Sequence, residues 1–158
     1  MLNLVLMTVL GAAALAFLTA LLSRRQRTTI FCSRPLMTPN EIEFFARLER
    51  ALPDFKVFSQ VAMSGVLDVT LPLSHPAYWR TRSAFDRKRI DYVVCTPSGE
   101  QLIAVVELDD RSHDSKRRQD AERDAMLAEA GIRTVRFPSY PRPSVKEIRG
   151  RVLGQLAA

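Results

Sequence analysis

Two carboxylates stand where an apolar strand should carry none. Asp91 interrupts Ile90 and Tyr92-Val93-Val94, and Glu107 interrupts Val105-Val106 and Leu108. A charge held in such a strand is destabilising unless it is paired or binds a cation. Asp109 lies two residues beyond Glu107, on the same face of an extended chain. Oxygen donors grouped in this way suit a hard divalent cation, Mg2+ or Mn2+. His113, four residues past Asp109, is of a type that ligates metals, carries protons or donates to phosphate. Taken singly, some of these residues have plainer roles. Asp109 and Asp110 can end a strand or cap a turn, and His113 can be a polar loop residue. The pair Asp91 and Glu107 resists that treatment, because both lie inside apolar runs.

The elements around the pair can be read from period and punctuation. Thr38 suits an N-cap, Pro39 the first helical position and Glu41 the third position of a capping box. Ile42, Phe44, Phe45, Leu48 and Leu52 follow at helical spacing, and Pro53 ends the helix. Residues 56–63 alternate as a strand, and 64–84 read as loop plus a short helix. Strands are predicted over 89–95 and 101–109, joined by the turn 96–100. That turn makes them hairpin neighbours and brings Asp91 and Glu107 toward one end of a sheet. A charged helix over 115–130 stops at Gly131, a strand covers 132–137, and an amphipathic helix covers 144–156. The order is helix, strand, strand, strand, helix, strand, helix, which predicts an α/β domain. Asp120, Arg123 and Asp124 fall on the charged helix, where a solvated face with helical ion pairs is the plain expectation. Glu41 needs no role beyond its capping box.

Composition narrows the partners. The net charge of +6 favours anionic ones, nucleic acid or an anionic membrane face. Two cysteines, Cys32 and Cys95, are too few for a disulfide framework, and two histidines limit histidine-based metal chemistry. Residues 2–22 hold no charge, and Arg24, Arg25 and Arg27 follow. This predicts one transmembrane helix over 2–22, a linker over 23–36 and a single domain over 37–158. The positive flank predicts a single pass through the inner (cytoplasmic) membrane, with the domain facing the cytoplasm. A cleaved signal peptide fits less well, since no basic segment precedes the run.

The ordered set Ile90-Asp91-Tyr92-Val93, Val106-Glu107-Leu108-Asp109-Asp110 and His113 resembles the core of the PD-(D/E)XK nuclease superfamily. The likeness is greatest to its very-short-patch-repair-endonuclease branch, through Asp120-Ala121-Glu122-Arg123-Asp124 and then Arg136-Phe137. The chain also resembles a bacterial domain family of unknown function, DUF2726-like, that carries an N-terminal membrane helix. The resemblance implies a restriction-endonuclease-like αβββαβ core with a central mixed sheet. It implies a membrane-anchored, magnesium- or manganese-dependent endonuclease that hydrolyses phosphodiester bonds of nucleic acid, DNA in the first place. Asp91 and Glu107 would hold the metal, Asp109 would complete the shell and His113 would move a proton or contact phosphate. Arg80, Arg82, Arg87, Lys88 and Arg89 would grip the nucleic-acid backbone, or else form a solvated or membrane-facing surface. Glu41, Asp120, Arg123 and Asp124 would support the site. The superfamily motif places lysine two residues after the strand acid, and here that position is Asp109. The alternative is therefore a catalytically silent domain of the same fold, binding nucleic acid or a protein at the membrane.

Overall fold

A computed structural model of the chain describes residues 2–25, 30–109 and 117–154. The chain divides into two compact units, Met1–Arg34 and Pro35–Ala158. The first unit holds helix α1, Leu2–Arg25. Its leucines, alanines and single methionine are strong helix formers, and no proline interrupts them. Thr8 and Thr19 donate their hydroxyls back to the carbonyls of Val5 and Ala16, at 2.8 and 2.9 Å. Among the described residues, however, no helix is long and apolar enough to cross a membrane. The expected transmembrane segment is thus a helix without support as a span.

The second unit is a mixed α/β domain. Helix α2 (Pro39–Ala51) leads into β1 (Lys56–Ala62), a 3-10 turn (Met63–Gly65), α3 (Tyr78–Ser83), β2 (Arg89–Cys95) and β3 (Leu102–Asp109). Helix α4 (Arg117–Glu129), β4 (Thr134–Pro138) and α5 (Val145–Leu153) follow. The four strands lie in the order β1-β2-β3-β4. The first two pairings are antiparallel and β3–β4 is parallel. The crossover through α4 makes the parallel pairing possible.

Each face of the sheet buries its own apolar set. Tyr92, Val94, Val106, Val135 and Phe137 pack against Phe44, Leu48 and Leu52 of the α2 segment and Ile148 and Val152 of α5. Ile90, Val93 and Val105 pack against Leu127 of α4, with Met63, Leu67 and Phe85 from the β1–β2 connection. Helix α2 begins as its capping box requires. Thr38 Oγ1 accepts from Glu41 N at 3.3 Å, and Glu41 Oε2 accepts from Thr38 N at 2.5 Å.

Tyr92 ties the start of α2 to the sheet. Its ring lies 5.5 Å from Phe44 and 6.0 Å from Phe45, and its hydroxyl donates to Glu41 O at 2.7 Å. Tyr92→Phe keeps the ring and removes one part-buried hydrogen bond, so we expect a loss of about 1 kcal/mol. A urea midpoint unchanged from the wild type would show that this bond contributes nothing.

Candidate functional site

The sheet opens where its acid sits. Pairing of β2 with β3 runs to Tyr92↔Val106. One step further the same register would set Asp91 opposite Glu107. There the Asp91 carboxylate takes over, its Oδ2 accepting from Leu108 N at 3.0 Å. On the other side, Ser59↔Tyr92 and Val61↔Ile90 are paired, and the intervening Gln60 and Asp91 are not. Gln60 has φ of +53°, left-handed backbone that costs a non-glycine residue on the order of 1 kcal/mol. Its Nε2 donates to Glu41 Oε1 at 3.2 Å, which links this distortion to the first turn of α2.

Glu107 is only 4% exposed, the one buried charged residue among those described. Its Oε1 has no hydrogen-bond partner. Arg123 of α4 sets Nη2 3.0 Å from Glu107 Oε2 and 3.4 Å from Asp120 Oδ1. Arg123 Nε is buried and also unpartnered. Burial, and then the neighbouring Asp91, push the Glu107 carboxyl up to about 8, against the pull of Arg123 and Arg136. Without a cation it is therefore mostly protonated at pH 7. Asp91 is raised as well, chiefly by burial; the Leu108 N–H opposes this, and Glu41 and Asp109 add to it.

Glu107 borders a cleft of about 680 Å³, lined by the Thr38–Glu41 turn, the Glu107–Asp109 strand end, Asp120, Arg123 and Arg136. Asp109 is exposed, and its Oδ1 is engaged by Arg136 Nη1 at 2.7 Å. Arg136 also binds Asp124 through Nε and Nη2, at 3.1 and 2.9 Å. Asp124 is thereby an anchor for Arg136, and Asp120 an anchor for Arg123. Both Glu41 carboxylate oxygens serve Thr38 and Gln60. His113 and Asp110 lie outside the described residues.

The family model described as "Protein of unknown function (DUF2726)" matches residues 33–156. The chain belongs to the DUF2726 family. No curated protein matches it, and neither does any solved structure. The matched range of this DUF2726 domain takes in every element from α2 to α5, and hence the whole cleft.

Within the DUF2726 domain the basic run divides. Arg82 is taken up by Asp68 at 3.0 Å and Asp86 at 3.5 Å. Arg80, Arg87, Lys88 and Arg89 have no ion pair among the described residues, and Arg89 opens β2 two residues before Asp91. Gln60 and Arg136 are the site residues that sequence reasoning passed over. Polar residues alternating with apolar ones along strands ordinarily face solvent, so alternation marked neither, and Arg136 entered only through the resemblance, without a role.

The donor set can be tested against a divalent cation. Among the described residues no group of three or more His, Cys, Asp or Glu side chains could hold one. Two carboxylates suffice where phosphate oxygens and waters complete the shell, as is usual for magnesium. The unpartnered Glu107 Oε1 and the raised carboxyls of Asp91 and Glu107 are what such an ion would relieve. Asp91 and Glu107 fit that role; Asp109, drawn to Arg136, is left at the rim.

Proposed function

We propose that this DUF2726 domain is a nuclease of the PD-(D/E)XK type, hydrolysing phosphodiester bonds of nucleic acid with Mg2+ or Mn2+. The observation that carries the reading is a buried glutamate with an unpartnered oxygen, beside a second carboxylate at the opened end of a sheet. Asp91 and Glu107 would hold the ion. When bound, the ion supplies Lewis-acid stabilisation of charge on the phosphate and activates the attacking water. Arg123 brings a fixed positive charge to the same cleft, which offsets the lack of lysine at Asp109. Arg80, Arg87, Lys88 and Arg89 would hold the nucleic-acid backbone, and His113 would carry a proton. Attachment to the cytoplasmic face of the inner membrane rests on the uncharged run 2–22 and the arginines after it.

The test is incubation of the full chain with DNA and with RNA, in Mg2+ or Mn2+ and in chelator. Cleavage is expected only with metal. Asp91→Asn is expected to lower it by roughly 100-fold or more, since an ion's stabilisation of the transition state amounts to several kcal/mol. Cleavage that persists in chelator or in Asp91→Asn would exclude the mechanism. The alternative is a silent module that binds nucleic acid or protein without cutting. It is favoured by Asp109, which holds the lysine position and is spent on Arg136. Thermal stabilisation by metal without cleavage of any nucleic acid would select it.

A further inference from the structure

Trp79 is the chain's single tryptophan, and it is 66% exposed. Its position is not that of a side chain hanging from a loose segment. Its neighbour Tyr78 is 8% exposed, and the two rings meet edge to face at 5.1 Å and 85°. Arg82, one turn on, ties α3 to Asp68 and Asp86. A fixed scaffold thus presents a broad aromatic face to solvent. An isolated exposed apolar residue is ordinary and carries no meaning. Here it stands beside Arg80, in the segment that continues through Arg87, Lys88 and Arg89, four cations without ion pairs among the described residues. That segment runs directly into β2, where Arg89 precedes Asp91 by two residues, about 7 Å of strand.

We propose that Trp79 is a stacking platform for an unpaired base of a single-stranded nucleic acid, whose phosphates lie on Arg80, Arg87, Lys88 and Arg89. This names the substrate class within the nuclease reading and rests on it for the direction in which the strand enters. The π-face of a base is open to an aromatic side chain only when the base is outside a duplex stack. The cations supply the sequence-independent attraction to the backbone. Tryptophan with arginines also suits a membrane interface, but the continuity of this segment with the Asp91 strand favours nucleic acid.

Because no other tryptophan is present, intrinsic fluorescence of the full chain reads this one position. The chain, in chelator so that nothing is cleaved, is titrated with a thymidine oligonucleotide, with the same sequence as a duplex, and with vesicles containing phosphatidylserine. The single strand should quench the emission saturably and more strongly than the duplex. Trp79→Ala should weaken single-strand binding, followed by anisotropy of a labelled oligonucleotide, by roughly tenfold, and Trp79→Phe should recover part of it. Arg80→Ala should weaken binding and flatten its salt dependence. A blue shift with vesicles and no quenching by oligonucleotide would assign the patch to the membrane and overturn the proposal. Equal quenching by duplex, or unchanged affinity in Trp79→Ala, would also overturn it. Metal-dependent cleavage with no Trp79 quenching would sink the stacking role alone, and quenching without cleavage would sink the enzyme reading alone.

Discussion

Metal-free Glu107→Gln is expected to be more stable than the wild type at pH 9 and no more stable at pH 4. Burial and Asp91 raise the Glu107 carboxyl from an ordinary 4.5 to about 8 in the folded chain. The folded state thus binds this proton more tightly than the unfolded state does. Its contribution to stability is complete below pH 4.5, falls as pH rises and is lost above about 8. Glutamine keeps the shape and never ionises, so the variant escapes the loss. The expected difference at pH 9 is on the order of 4 kcal/mol, or ~15 °C in Tm for a domain of this size. Mg2+ or Mn2+ should reverse the ranking in part, because an ion bound only by the folded wild type stabilises it by mass action. The variant should not respond. Thermal melts at pH 4, 7 and 9, with metal and with chelator, measure all of this. Parallel pH profiles for the two proteins would mean that Glu107 is not held as described, and the metal site would fall with it.

Phe44→Ala is expected to cost about 4 kcal/mol at every pH. Phe44 is buried, and its ring stands 5.5 Å from both Tyr92 and Phe137. It fastens α2 to two different strands, and with α2 comes the turn that carries Thr38 and Glu41 to the cleft. Truncation leaves a cavity that rings on rigid strands cannot close. Urea denaturation should show a lower midpoint with an unchanged slope. Unlike Glu107→Gln, the effect should be independent of pH and metal. A loss below ~1 kcal/mol would mean that α2 does not pack on this face.

Local interactions made much of the domain legible in the sequence. The Thr38–Glu41 capping box, the 96–100 turn and the apolar runs of β2 and β3 are each specified by residues a few positions apart. So is the hairpin that brings Asp91 and Glu107 to one end of the sheet, and acids inside apolar strands could be recognised without knowing their surroundings. Tertiary structure decided the rest, because ion pairs across elements depend on which faces pack. Arg123 read as part of a solvated helical face, and the packing of α4 on the sheet turned it onto Glu107. Asp109 was expected among the metal donors, but parallel pairing set Glu107 opposite Arg136, whose guanidinium reaches Asp109 next along β3. Arg82 read as one more free cation, and the fold of the long β1–β2 connection brought it to Asp68. The left-handed Gln60 had no local signal, since its side-chain partner, Glu41, lies on α2. The uncharged run 2–22 determined a helix by itself. Whether that helix crosses a bilayer depends on length and transfer energy, and the absence of charge alone does not set either.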